Sequence, residues 1–91
     1  MMEEKRGTTK SGFAFAIPAE NLDNMELLDA LAELDENDPL QISRVCVLLL
    51  GKAQRKKLYD HLRAPAGNVP IKDVAAAIGE IFTACGDAGK N

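Results

Sequence analysis

A chain of 91 residues with a formal charge of −3 has room for one domain, which buries about 60–65% of its unfolded surface. Hydrophobic content of 46% with three Phe, one Tyr and no Trp points to an aliphatic, helix-rich interior and away from an aromatic β-sandwich. The longest apolar run, Val45 to Leu50, is too short to span a bilayer, and Met1 to Gly7 has no apolar segment of the kind a signal peptide needs, so the expected location is the cytoplasm.

Taken in order, Met1 to Gly12 is polar and aperiodic and reads as a flexible tail over 1–12. Phe13-Ala14-Phe15-Ala16-Ile17 alternates large and small residues with period two and is closed by Pro18. Those features predict a short strand at 13–17 with Phe13, Phe15 and Ile17 on one face. A single strand needs a mate; Asn68-Val69 or another molecule are the candidates.

Cap-forming residues from Glu20 to Asn24 introduce a helix over about 25–36, with Leu27, Leu28, Leu31 and Leu34 on one face and Glu26, Asp29, Glu33 and Glu36 on the other. The acids lie along an exposed face with no convergent third group, which makes them solvated charge rather than an acid/base or metal pair. Asp35-Glu36-Asn37-Asp38-Pro39-Leu40 fails as a calcium loop, because Pro39 and Leu40 stand where a ligand and a Gly are required. Asp38 instead suits a cap, Pro39 the first helical position and Gly51 a left-handed stop, which predicts a helix over 39–50. With Leu40, Ile42, Val45, Val47, Leu48, Leu49 and Leu50 nearly encircling it, that helix is expected to be the buried centre.

A third helix at 53–64 has a narrow apolar face at Ala53, Leu58, Tyr59 and Leu62 and a basic outer face including Arg55 and Lys56. Its bases lack interleaved aromatics, which argues against nucleic acid. Ala64 to Asn68 breaks the chain, and Pro70 opens a last helix over 71–85. Ile71, Val74, Ala75, Ile78, Ile81, Phe82 and Cys85 recur there at helical spacing, and Ala76, Ala77 and Gly79 keep the other side slim. The expected architecture is therefore all-α: a compact four-helix domain over 13–86 (helices about 25–36, 39–50, 53–64 and 71–85), an extended segment at 13–17, and a flexible C-terminus at 87–91.

Charge is unevenly spread. Residues 20–38 hold eight acids and no base, and residues 44–63 hold six bases and one acid. Such polarity either steers a partner or a second copy of the chain, or is partly neutralised within the fold. Cys46 and Cys85 sit among aliphatics and read as buried free thiols; with one His and no paired ligand motif, neither a metal nor a cofactor is expected. No Ser/Cys/His constellation or phosphate loop is present, so the chain is not expected to be an enzyme.

An acidic four-helix domain invites comparison with acyl carrier proteins, but Asp38-Pro39-Leu40 stands where their Asp-Ser-Leu motif carries the prosthetic arm. A wider resemblance is carried by Phe13-x-Phe15-x-Ile17-Pro18-Ala19-Glu20, by Asp23 to Glu33, by Asp38-Pro39 with Leu48-Leu49-Leu50-Gly51, and by Val69-Pro70 before a helix containing Glu80-Ile81-Phe82. Over residues 13–85 the chain resembles the small tail assembly chaperones of long-tailed bacteriophages and prophages. The resemblance implies a non-catalytic protein that binds the tape-measure protein, keeps it soluble and helps recruit the tail-tube protein. It also implies a longer form made by ribosomal frameshifting, with which a Lys90-Asn91 ending is compatible. Residues expected to meet a partner are Phe13, Phe15 and Ile17 by strand addition, and the charged Glu26, Asp29, Glu33, Arg55 and Lys56; the slim side of the last helix is a further surface. The other class open to the chain is a small bacterial or prophage adaptor that self-associates through its opposite charges.

Overall fold

The computed structural model describes residues 4–35 and 40–88. Its elements are β1 (Glu4–Thr8), β2 (Ala14–Pro18), α1 (Ala19–Leu22), α2 (Met25–Asp35), α3 (Gln41–Leu62) and α4 (Ile71–Ala88). The expected all-α four-helix domain is corrected by this order. A two-stranded antiparallel sheet is part of the fold, and the stretch read as a tail supplies one of its strands.

The sheet forms because Thr9 to Phe13 encode a tight turn. Gly12 N–H donates to the Thr9 carbonyl at 2.9 Å, Thr9 N–H donates to the Phe13 carbonyl at 2.9 Å, and Gly12 has φ +97°. This is the three-residue hairpin loop in which the last loop residue takes the left-handed conformation that Gly accepts without steric cost. Thr9 is buried there, and its hydroxyl accepts from Phe13 N–H at 3.1 Å. Pairing runs Glu4 with Pro18 through Thr8 with Ala14. Opposite Gly7, the Phe15 ring folds across the strand so closely that a Cβ on Gly7 would lie 2.7 Å from its ζ carbon. An aromatic covering a cross-strand Gly in this way restores packing that the Gly lacks.

Phe13, Phe15 and Ile17 enter the core, so the mate of the predicted strand is neither Asn68-Val69 nor a second molecule. After α1, the Asn24 side chain accepts from Glu26 N–H at 3.0 Å and its carbonyl from Leu27 N–H at 3.0 Å, capping α2. Leu27 and Ala30 are buried, whereas Leu28, placed on the apolar face by its spacing, is 55% exposed. The expected cap at Asp38 and first turn at Pro39 lie outside the described residues.

α3 is bent at Gly51, whose φ 81° and ψ 163° are non-helical. The expected helices at 39–50 and 53–64 are thus two arms joined at a single residue, with no loop between them. That backbone region is almost confined to Gly. The bend folds the arms back, bringing Ser43 within 3.4 Å of the Arg55 guanidinium and the Cys46 thiol against the Tyr59 hydroxyl. A helical break leaves carbonyls without intrahelical donors, and side chains take two of them: Asn21 Nδ2 donates to the Leu49 carbonyl at 2.8 Å and Gln54 Nε2 to that of Leu50 at 3.1 Å.

Only one side of the first arm reaches the centre. Val45, Cys46, Leu49 and Leu50 are buried, but Leu40 is 82% exposed and Ile42, Val47 and Leu48 are partly covered, so the all-round burial expected of 39–50 does not occur. The buried stripe of α4 runs Val74, Ala77, Ile78, Ile81 and Cys85, leaving Ile71 67% exposed. Both cysteines are free. Among the described residues no helix is long and apolar enough to cross a membrane.

Candidate protein-binding surfaces

The expected contact residues part into two groups. Phe13, Phe15 and Ile17 are core residues, and no partner reaches their side chains without opening the domain. The backbone of β2 is covered at Ala16. Because Thr9 donates to Phe13, the register makes 9/13, 7/15 and 5/17 the hydrogen-bonded pairs, and Ala16 turns its N–H and C=O away from β1. Gln54 meets both: Oε1 accepts from Ala16 N–H at 3.0 Å and Nε2 donates to the Ala16 carbonyl at 2.6 Å. One amide side chain therefore caps the strand edge at Ala16, and its remaining hydrogen seals the bend in α3.

β1 is different. By the same register, Arg6 and Thr8 turn their backbone N–H and C=O outward, and nothing among the described residues pairs with them. Beside this edge lies an open groove of about 690 Å³, lined by Thr8, Thr9, Lys10, Phe15, Gly79, Glu80, Thr83 and Ala84. Of the slim side read as Ala76, Ala77 and Gly79, only Gly79 reaches this groove, and Ala77 is buried in the core. The hairpin turn at the groove's end is tied to α4 and α3, where Lys10 N–H donates to Glu80 at 2.7 Å and His61 Nε2 bonds the Ser11 carbonyl at 3.1 Å and its hydroxyl at 3.2 Å. The His61 ring also stands 5.8 Å from that of Phe13, so this exposed histidine ties α3 to the hairpin turn.

The charged candidates are at the surface. Glu26, Asp29 and Glu33 line the exposed face of α2 around Met25, which is 68% exposed, and Leu28. Arg55 lies over Tyr59, 5.8 Å from the ring centroid, and Lys56 is 3.3 Å from Asp60. Arg63 first, and Lys56 second, hold the Asp60 carboxyl below its usual range. Ion pairs among the described residues are all local, Arg6 with Glu4 and both Lys56 and Arg63 with Asp60. Among the described residues, Glu26, Asp29 and Glu33 form no ion pair with the bases of α3.

A second concavity, of about 300 Å³, is lined by Ile42, Ser43, Tyr59, Val69, Ile71 and Val74. Its wall is almost wholly carbon, and Arg55 closes one side through Ser43 and Tyr59. Burial pushes the Cys46 thiol up to about 11 despite its Tyr59 hydrogen bond, which makes it an inert packing group. Among the described residues no three His, Cys, Asp or Glu side chains are grouped as metal ligands would be. These surfaces are suited to protein contact.

Sequence reasoning missed Gln54, Asn21, Thr9, His61 and Glu80. A turn signal for the hairpin was present in Lys10-Ser11-Gly12; the roles of Gln54 and Asn21 depend on carbonyls freed at a bend, for which a lone Gly51 was the only sign. No protein-family model, curated protein or solved structure matches the chain.

Proposed function

We propose that this chain is a non-catalytic binding protein, a tail assembly chaperone that engages a tape-measure protein through the groove between β1 and α4. The observation carrying the reading is the free edge of β1 beside the small residues Gly79 and Ala84. An extended client segment adding to that edge gains main-chain hydrogen bonds, while side chains alternating toward α4 find space above Phe15. The resemblance over residues 13–85 supplies the client's identity, and recruitment of the tail-tube protein follows from the same resemblance. The host cytoplasm, where tails assemble, is the corresponding location.

Co-expression with the tape-measure protein encoded nearby tests the reading. The expected result is more soluble tape-measure protein and a recoverable complex, lost when Gly79→Trp fills the groove. Unchanged solubility with no complex removes the assignment.

A further inference from the structure

Two surfaces remain that the groove does not use, and they complement one another. On α2, Met25 and Leu28 are three residues apart and therefore on one side of the helix, 68% and 55% exposed. Exposed Glu26, Asp29 and Glu33 border them, with no base anywhere between residues 20 and 38. On α3 and α4, the carbon-lined slot of Ile42, Tyr59, Val69, Ile71 and Val74 has Ile71 at its mouth, 67% exposed. Arg55 stands at its wall, bonded to Ser43, and Arg44 and Lys72 are adjacent in sequence to lining residues; of the two acids so placed, Asp60 is already paired with Lys56 and Arg63, which leaves Asp73. None of Glu26, Asp29, Glu33, Arg44 or Arg55 has an ion-pair partner among the described residues.

We infer that α2 of one copy of this chain docks in the slot of a second copy, with Met25 and Leu28 entering against Ile42, Tyr59 and Ile71 and with Glu26 and Asp29 facing Arg55 and Arg44. Both charge and apolar content select the second copy. The slot is ringed mainly by bases and lacks an aliphatic plug; α2 carries only acids and offers two exposed aliphatic side chains with no cover. Each patch has what the other needs, and neither is satisfied among the described residues. Because the patches differ, the contact is head to tail unless two copies engage reciprocally, which closes a dimer. It leaves the β1 groove open, so it holds whether or not the client reading does.

Sedimentation of the full chain over a concentration series tests it. At low ionic strength the mass is expected to rise above the monomer with concentration, and to fall back as salt shortens the Debye length from about 30 Å at 0.01 M to about 3 Å at 1 M. The doubly reversed variants Glu26→Lys with Asp29→Lys, and Arg44→Glu with Arg55→Glu, are each expected to associate at least about tenfold more weakly. An equimolar mixture of the two regains association, because the reversed α2 of one fits the reversed slot of the other. Met25→Ser with Leu28→Ser removes only exposed carbon and is expected to give a folded monomer by circular dichroism. A wild-type chain that stays monomeric throughout overturns the inference. So does association unaffected by these substitutions, or a mixture no more associated than its parts.

Discussion

The two strands of the hairpin are paired residue for residue yet differ in every other respect. β2 is apolar, its inward side chains lie in the core, and Gln54 covers its outer edge at Ala16. β1 is polar, sets Gly7 opposite Phe15 and leaves its outer edge open. Apolar alternation therefore marked the strand that builds the domain, and the strand without alternation is the one with backbone to offer. A period-two pattern reports burial on one face; it carries no information about which edge of the sheet remains free.

Truncation is expected to separate the strands most sharply. Ile17→Ala removes a fully buried side chain and is expected to lower stability by about 2–5 kcal/mol, whereas Arg6→Ala on β1, whose ion pair with Glu4 is exposed, is expected to stay within about 0.5 kcal/mol. Urea unfolding followed by circular dichroism measures both. Equal losses would mean that β1 contributes to the core as β2 does, and the contrast between the strands would be lost.

The seal on β2 is expected to come next. Gln54→Leu keeps the bulk of the side chain but leaves the N–H and C=O of Ala16 and the C=O of Leu50 without their partner. A loss of about 1–3 kcal/mol follows from burying unsatisfied backbone groups, with faster amide exchange at Ala16. Gly51→Ala acts on the other side of the same contact, since it is the bend that brings Gln54 to the strand. Nothing lies within 4 Å of an added Cβ there, so the expected cost of about 1–3 kcal/mol is purely conformational. A Gly51→Ala variant as stable as the parent would show that the bend survives without a Gly-only backbone, and would remove the reason given for it.

These residues also mark how far the sequence was legible. The helical periodicity of 25–35 and 71–85 was read from spacing alone, because a stripe at i, i+3 and i+4 arises wherever a helix lies on a core. What spacing left open was the rotation of each stripe. Leu28 and Ile71 fit the periodic pattern yet are exposed, and Ala77 is buried, because neighbouring elements decide which part of a wide apolar face is covered. The expected central helix failed in the same manner at Leu40. β1 was illegible for a further reason: Glu4-Lys5-Arg6-Gly7-Thr8 has no strand signal of its own and becomes a strand because the Lys10-Ser11-Gly12 turn places it beside Phe15. As for the binding surfaces, the acidic and basic faces were visible as charge runs, but that Glu26, Asp29 and Glu33 form no ion pair with a base among the described residues is a property of three dimensions.

The cysteines give the smallest effect and the finest probe of the same contrast. Cys46 lies on the sealed side, under Tyr59 in the bend of α3, while Cys85 lies on α4 close enough to Lys5 of β1 for the ammonium to act on its thiol. At neutral pH neither thiol ionises, and burial raises both above their ordinary value. For Cys46 the sign of the linkage is fixed: the folded state favours the neutral thiol, so its contribution is complete below the ordinary value of 9.0 and is lost as pH rises through about 11. Stability is therefore expected to be flat near neutrality and to decline above pH 9, and Cys46→Ala should flatten part of that decline. Reaction with a thiol reagent near pH 8 separates the two positions. Cys85 needs only the polar strand to lift, so its modification is expected to be faster and to speed up further in Gly7→Pro, which removes a β1 donor to Phe15 and sets a Cβ against the Phe15 ring. Cys46 needs the bend itself to open, so its rate should follow global stability across the Ile17, Gln54 and Gly51 variants. Equal rates for the two thiols would mean that the hairpin and the bent helix open as one unit, and that the difference between the two strands is one of accessibility alone.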